Sequence, residues 1–262
     1  MLIFSMKRLR ILQFNMQFGQ VWDAADPDNA PINIEATIAE IKRHYADIIM
    51  LQELEHVRPD GTHTPMPPNY SQIKQELKGY DSTFSFPRPD PRELPFGVGL
   101  AIFSRWPLEP LACVNISSPP IEFDFMGKIK TPTDRLMISA DVTVEGQKVR
   151  LINTHLLAFF MLKSSSEENP GQRKLVEEEL RKSDLPTILT GDFNVSKHQS
   201  LVDQFAAAGF STAQSEEITW QRMPFVLDHV FFNDAFRCVG HEVVQSPASD
   251  HFPLVVDLEL SD

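Results

Sequence analysis

Cysteine is scarce in this chain. Cys113 and Cys238 are its two cysteines among 262 residues, and no motif sets either at metal-ligand spacing, so a cysteine-bound zinc is not expected. Each lies in an apolar, strand-like run. That position favours two buried free thiols, with one disulfide as the alternative. An HExxH motif is also absent, which removes a zinc-protease site. Long apolar runs are missing as well. Nothing approaches the roughly 20 residues that span a bilayer, and the apolar part of Met1–Arg8 is too short for a signal peptide. A soluble, cytoplasmic protein is expected, with no stable membrane association and no protein partner. Cations are few: 24 Lys and Arg stand against 36 Asp and Glu, for a formal net charge of -12. With no long basic run, the chain has no long-range attraction for nucleic acid, and a polyanionic substrate needs a local cation or basic patch. Repeats, low-complexity tracts and linkers are lacking too. With 42% hydrophobic residues, residues 1–262 read as a single domain with a substantial core.

What is present is a series of apolar strands. Leu9 to Asn15 reads as one, and Asp47 to Glu53 as another. Between them Pro31 is placed to open a helix, with Ile34, Ile38, Ile41 and Tyr45 as its apolar stripe. Strand, helix, strand in this order implies a parallel pair under a covering helix. The Pro- and Gly-bearing stretch 59–69 reads as an irregular loop. Strand patterns follow at 97–104, 108–115, 136–144 and 149–153, with Glu145-Gly146 as a hairpin turn between the last two. Pro170 is placed to open a helix carrying Leu175, Val176 and Leu180. After Leu185–Thr190, Ser196 and Gln199 fit a capping box, with Leu201, Val202, Phe205 and Ala208 at helical spacing and Gly209 at the C-cap. Strands close the chain at 225–232, 236–244 and 252–260. An α/β (α+β) fold with two packed sheets flanked by helices accommodates this order.

Polar groups mass at the ends of these strands. Asn15, Glu53, His155, Asp192 and Asn194 each end or follow an apolar run, Asp228 sits inside one, and Asp250 and His251 precede one. Carboxylates beside hydrophobic strands are costly unless paired, hydrogen-bonded or metal-bound. Four of them, Glu53, Asp192, Asp228 and Asp250, make one shared site the economical explanation. Carboxylate and amide oxygens suit a hard cation, Mg²⁺ or Mn²⁺. Adding the imidazoles of His155 and His251 suits hydrolysis of a phosphate ester.

The segments Phe14-Asn15, Gln52-Glu53, Asn153-Thr154-His155-Leu156, Gly191-Asp192-Phe193-Asn194, Leu227-Asp228-His229 and Ser249-Asp250-His251, with Gly97–Arg105 as a further strand, resemble the endonuclease/exonuclease/phosphatase (DNase I-like) superfamily, in its order and over nearly the whole chain. The resemblance implies a four-layer αββα sandwich, with two mixed β-sheets packed face to face and helices outside. It implies Glu53 as the principal metal ligand, helped by Asn15, with Asp250 supporting the metal side. Asp192 and Asn194 position the attacking water and contact metal or phosphate. Asp228 fixes the tautomer of His251, which acts as general base or polarises the phosphate. His155 stabilises the transition state or assists the leaving group, and Arg135 contacts substrate phosphate, as in some nuclease members. The implied substrate is a phosphate ester, nucleic acid or small molecule: first a phosphodiester, and as the alternative a phosphomonoester on a sugar, inositol or lipid headgroup. A catalytically silent binding module on the same fold is the rival from another class; it is disfavoured because every expected polar position is filled.

Other residues take bland readings. His229, adjacent to Asp228, points to the opposite sheet face and reads as structural. Arg88, Arg92, Lys128, Lys130, Lys197 and Arg222 lie in loops placed to rim the site, and most read as solvated cations. Ala158 to Leu162 reads as core packing, with an apolar pocket lining or a lipid-facing surface as the alternative, and Trp220 as a packed aromatic, with stacking on a base as the alternative. The loops 59–69, 116–132 and 158–170 are left to shape specificity.

Overall fold

A computed structural model describes residues 7–58, 62–64, 66–94 and 97–261. The N-terminal stretch 1–6, together with Pro59, Gly61 and Pro65 of the expected loop, lies outside the described residues. Two mixed sheets dominate. The first is six-stranded and runs across as β14 (Phe236–Val243), β15 (Leu254–Leu260), β1 (Lys7–Asn15), β2 (Ile48–His56), β4 (Gly97–Ser104) and β3 (Asp81–Ser85). The second is seven-stranded: β12 (Phe210–Thr212), β13 (Asp228–Asn233), β11 (Thr187–Asp192), β10 (Gln147–His155), β9 (Arg135–Val144) and β5 (Leu108–Pro110), with β6 (Val114–Ile116) also on β9. Each sheet contains one parallel pair, β1 with β2 and β10 with β11. Parallel neighbours need a crossover; α1 (Ile34–Arg43) supplies the first and α3 (Gly171–Arg181) the second.

Side-chain alternation sorts each strand between two faces. Leu9 and Ile11 of β1 join Ile48 and Met50 of β2, Val149 and Leu151 of β10, and Ile188 of β11 in the core between the sheets. Leu12, Phe14, Ile49 and Leu51 face the other way, packing with Ile38 and Ile41 of α1 and with Ile73 of α2 (Pro68–Glu76). On the far side, Ile152 and Leu189 pack with Val176 and Leu180 of α3 and with Leu201 and Phe205 of α4 (His198–Ala206). The result is the four-layer sandwich with helices outside.

Several local expectations are corrected. Pro31 does not open α1. The side chain of Asn33 accepts from Ala36 N, and the helix starts at Ile34, because asparagine is a strong N-cap. Tyr45 lies past the helix end, at positive φ and 75% exposed, so the stripe stops at Ile41. Within the stretch read as loop, Pro68 opens α2; that helix buries little beyond Ile73, so it had no apolar stripe to reveal it. The run 108–115 divides into β5 and β6. The capping box does not form, since α4 begins at His198 with no side-chain cap. Neither cysteine is buried: both are free thiols, Cys113 exposed and Cys238 half-buried. The span 116–132 contains a hairpin, β7 (Phe123–Phe125) with β8 (Lys128–Lys130), which pairs with neither large sheet among the described residues. The Glu145-Gly146 turn forms as expected, both residues at positive φ, which suits a tight hairpin.

Gly191 sits opposite Thr154 in the parallel β10–β11 pair. A Cβ there would meet the Thr154 carbonyl oxygen at 2.4 Å and its Cγ2 at 3.0 Å. Backbone cannot yield without disturbing the pair that carries His155 and Asp192. Gly191→Ala is therefore expected to destabilise the protein by about 1–3 kcal/mol, read as a lowered urea midpoint at unchanged m-value. An unshifted midpoint would show that the strands separate freely.

Candidate active site

The alternation that builds the inter-sheet core turns polar toward one end of the parallel strands. On β1 the inward series Leu9, Ile11 continues as Gln13 and Asn15. On β2 Met50 is followed by Gln52; on β10 Leu151 by Asn153 and His155; on β11 Ile188 by Thr190 and Asp192. These polar groups pair across the gap between the sheets. Gln13 Nε2 donates to Asp228 Oδ1 at 2.6 Å, Gln52 Nε2 to Asn153 Oδ1 at 2.7 Å, and Asn15 Nδ2 to Asp192 Oδ2 at 3.0 Å. Asn153 Nδ2 also donates to the carbonyls of Leu51 and Ala101. Asn15, Gln13, Gln52, Asn153 and Asp228 are fully buried.

At the rim of this polar layer the candidate residues converge. Glu53 lies at positive φ where the β2–β4 register slips between Gln52 and Glu55. The bulge re-aims the carboxylate, and α2 supports it: Tyr70 N donates to Glu55 Oε1, and Asn69 Nδ2 to Leu54 O. Asn15 Nδ2 is shared between Glu53 Oε1 and Asp192 Oδ2, each at 3.0 Å. His155 Nε2 stands 3.7 Å from Glu53 Oε1 and 3.5 Å from Asp192 Oδ2. His251 Nδ1 lies 2.7 Å from Asp228 Oδ2, and its Nε2 is 3.7 Å from Asp192 Oδ2. Asn194, a second residue at positive φ, donates its backbone N–H to Asp192 Oδ1 and its side-chain amide to Leu156 O. Non-glycine residues held at positive φ store strain that the surrounding structure must hold in place. Here both of these lie beside the same carboxylate pair.

The titratable groups are strongly perturbed. Burial, reinforced by Asp250, pushes Glu53 up to about 7 against the Asn15 hydrogen bond. Burial, with Asp228 and Glu53, pushes Asp192 up to about 8 against the opposing charge of His251. Burial holds His155 well below the ordinary imidazole range, with Arg135 and His251 adding to it. Burial alone would depress His251 too, but Asp228 and Asp192 overcome it and raise that imidazole to about 10. At neutral pH His155 is neutral and His251 is an imidazolium bound to Asp228.

Among the described residues, two groups of side chains offer ligand atoms within 4.8 Å of one another: Glu53, His155 and Asp192, and Asp192, Asp228 and His251. The first fits a hard divalent cation. Two carboxylates there share one amide donor, burial raises both above the ordinary carboxylate range, and the donors are oxygens with one imidazole. Asp250 belongs to neither group, although its charge acts on Glu53. Its Oδ2 accepts from Trp220 Nε1 at 3.2 Å and from Arg222 Nε at 2.7 Å. Arg135 lines the same cleft, of about 620 Å³, as Glu53, His155, Asp192, Asn194 and His251. Its buried Nε has no partner among the described residues.

Some contributors escaped the sequence reading. Gln13 and Ser249 hold the Asp–His pair: Ser249 Oγ accepts from His251 N and donates to Asn15 O. Gln13 could have been found as a lone amide at an inward position between Leu12 and Phe14. Arg222 is not a solvated cation, being tied to Asp250 and Asp28. Ala158, Phe160, Met161 and Leu162 line the cleft, the alternative reading of that stretch rather than the favoured one; Phe159 alone of the five packs in the interior. His229 is buried, on the opposite face as expected, with Nδ1 3.2 Å from Thr212 Oγ1.

Residues 12–251 match the profile of the endonuclease/exonuclease/phosphatase family. A UPF0294 protein of Vibrio campbellii is 28% identical over 174 residues, which are 63% of this chain and 57% of that protein's length; the chain thus spans little more than half of this relative. An endonuclease/exonuclease/phosphatase structure from Beutenbergia cavernae superposes with a TM-score of 0.69 at 20% identity, covering 97% of this chain and 72% of that one. A mannosyl-6-phosphatase from Bacteroides thetaiotaomicron superposes with a TM-score of 0.65 at 18% identity, covering 95% and 99%. These likenesses establish the shared fold.

The raised carboxylates set a sign for cation binding. Protons on Glu53 and Asp192 compete with a cation until pH passes about 7 to 8, so binding expels protons below that range. Mn²⁺ affinity is expected to rise from pH 6 to pH 8 and level off above it. Calorimetry at pH 7 in two buffers of different ionisation enthalpy should read net proton release. A pH-independent affinity would remove these carboxylates from the binding site.

Proposed function

The chain belongs to the endonuclease/exonuclease/phosphatase family, and from that premise we propose that it is a Mg²⁺- or Mn²⁺-dependent phosphodiesterase. The observation that carries the reading is the convergence of Glu53, Asp192, His155, His251 and Arg135 on one open cleft. Glu53 and Asp192 are the proposed metal-holding residues, with Asn15 and Asp250 adjoining them. When bound, the cation neutralises charge on the phosphoryl oxygens.

The chain's own residues divide the remaining work. Asp192, fixed by Asn15 and by the backbone of Asn194, orients the attacking water. His251, cationic through Asp228, faces a non-bridging phosphoryl oxygen and offsets its charge. That assignment favours polarisation over general-base action in the free protein. His155, neutral and beside the carboxylates, serves the transition state or the leaving oxygen. Arg135 supplies a guanidinium for the phosphate. The water oxygen bonds to phosphorus as the opposite P–O bond breaks, and the leaving oxygen takes that electron pair and a proton.

A diester is favoured over a monoester on charge. A monoester phosphate carries about −1.5 to −2 at neutral pH, and among the described residues Arg135 is the cleft arginine not tied to a carboxylate; Arg92 is bound to Asp90 and Arg222 to Asp250 and Asp28.

The test pairs bis-p-nitrophenyl phosphate with p-nitrophenyl phosphate, in Mg²⁺, Mn²⁺ or EDTA, with Asp192→Ala as the blank. Metal-dependent release from the diester, lost in EDTA and in the blank, is expected. Release from the monoester alone would move the chain to phosphatase action. Glu53→Gln is expected to abolish turnover and weaken metal binding while leaving the circular dichroism spectrum unchanged, and full activity would refute the metal assignment. His251→Ala is expected to lower kcat by roughly 10²–10⁴-fold. A loss confined to KM would move His251 to substrate binding.

A further inference from the structure

The charged residues account for only part of the cleft. Much of the remaining lining is apolar: Phe123 and Phe125 of β7, Phe160 and Met161, Trp220 and Met223. This apolar surface begins at the proposed reacting group. The Trp220 ring lies 6.1 Å from His251 and 5.7 Å from Phe160. It continues outward, for Met161 is 63% exposed and Met223 45%. The β7–β8 hairpin, which supplies the two phenylalanines, also holds Met126 at 88% and Ile129 at 67% exposure. Single exposed apolar residues are ordinary. A run of them that starts beside the polar groups of a cleft marks a surface for an apolar ligand.

Charge argues against the main competitor. A nucleic-acid strand needs cations along its track. Arg92 and Arg222 are already tied to Asp90, Asp250 and Asp28, and the chain is net -12.

Resting on the phosphodiesterase reading above, we propose that the substrate is an amphiphile, a phosphodiester with an alkyl chain that lies along Phe123, Phe160, Met161 and Trp220 while its phosphate sits at Arg135 and His251. Hydrolysis inserts water at phosphorus. One P–O ester bond breaks, the departing oxygen keeps the electron pair, and the two protons of water end on the products or in solvent.

The test is a series of alkyl p-nitrophenyl phosphates bearing methyl, butyl or octyl groups, with Mn²⁺ and the full chain, below the concentration at which the octyl ester forms micelles. All release the same p-nitrophenolate, leaving the alkyl phosphate. The value of kcat/KM is expected to climb roughly tenfold or more from methyl to butyl, since each buried methylene contributes severalfold, and to climb further at octyl. Phe160→Ala and Phe123→Ala are each expected to cut the octyl-to-methyl ratio by at least about fivefold. Cleavage of all three esters at one rate would overturn the inference and leave the phosphodiesterase reading standing. So would cleavage of plasmid DNA with a higher kcat/KM per phosphodiester than the octyl ester. Failure to cleave any ester or DNA with Mn²⁺ or Mg²⁺ supplied would overturn both.

Discussion

The structure depends on a layer of buried polar contacts between its two sheets. Gln13 with Asp228, Gln52 with Asn153, and Asn15 with Asp192 each join a side chain of one sheet to a side chain of the other. Unpaired, any of these groups would cost on the order of 1–3 kcal/mol in desolvation. Satisfied, they hold the sheets in one register and one spacing. An apolar core alone tolerates sliding, because hydrophobic contact has no direction. The amide and carboxylate pairs remove that freedom where Glu53 of β2 and His251, ahead of β15, must meet His155, Asp192 and Asp228 of the other sheet.

The same layer explains the electrostatics. Placing carboxylates at the polar end of a hydrophobic interior denies them water, and the protein compensates them unequally. Asp228 receives Gln13 and the His251 imidazole. Glu53 and Asp192 share the Asn15 amide, and Asp192 gains the Asn194 N–H and the nearby His251, yet burial outweighs these and raises both carboxyls. Two neighbouring carboxyls pushed into the range of about 7 to 8 form a site with an unmet demand for positive charge. The two imidazoles diverge for a related reason: His251 has a carboxylate at hydrogen-bond distance, whereas His155 has Arg135 and His251 as the charges opposing its protonation. Environments that push like groups apart in this way define separate acid–base roles.

Much of this was legible in the sequence. Strand alternation located most of the long strands and the parallel β1–α1–β2 unit, and polar residues at apolar strand ends named the groups that the fold gathers. The rest lay beyond local pattern. Helix α2 carries no apolar stripe, because it packs mainly through Ile73 and supports the bulge at Glu53. The bulge has no sequence signature, since Glu53 adopts positive φ under tertiary constraint. Arg222 and Trp220 looked like an ordinary loop cation and aromatic. Their link to Asp250 crosses the chain from residue 220 to residue 250, a pairing no spacing rule contains. The β7–β8 hairpin is short and polar on alternate residues, so its contribution of two phenylalanines to the cleft appears only in three dimensions.

The central claim is that a hard cation completes the carboxylate pair at the foot of the cleft. Crystals soaked in Mn²⁺ and measured near the manganese absorption edge test it most directly. The account predicts an anomalous peak within direct ligation distance of a Glu53 carboxylate oxygen, present in the parent protein and lost in Glu53→Gln. Well-ordered crystals with no peak at that place, or with manganese bound only away from Glu53 and Asp192, would contradict it.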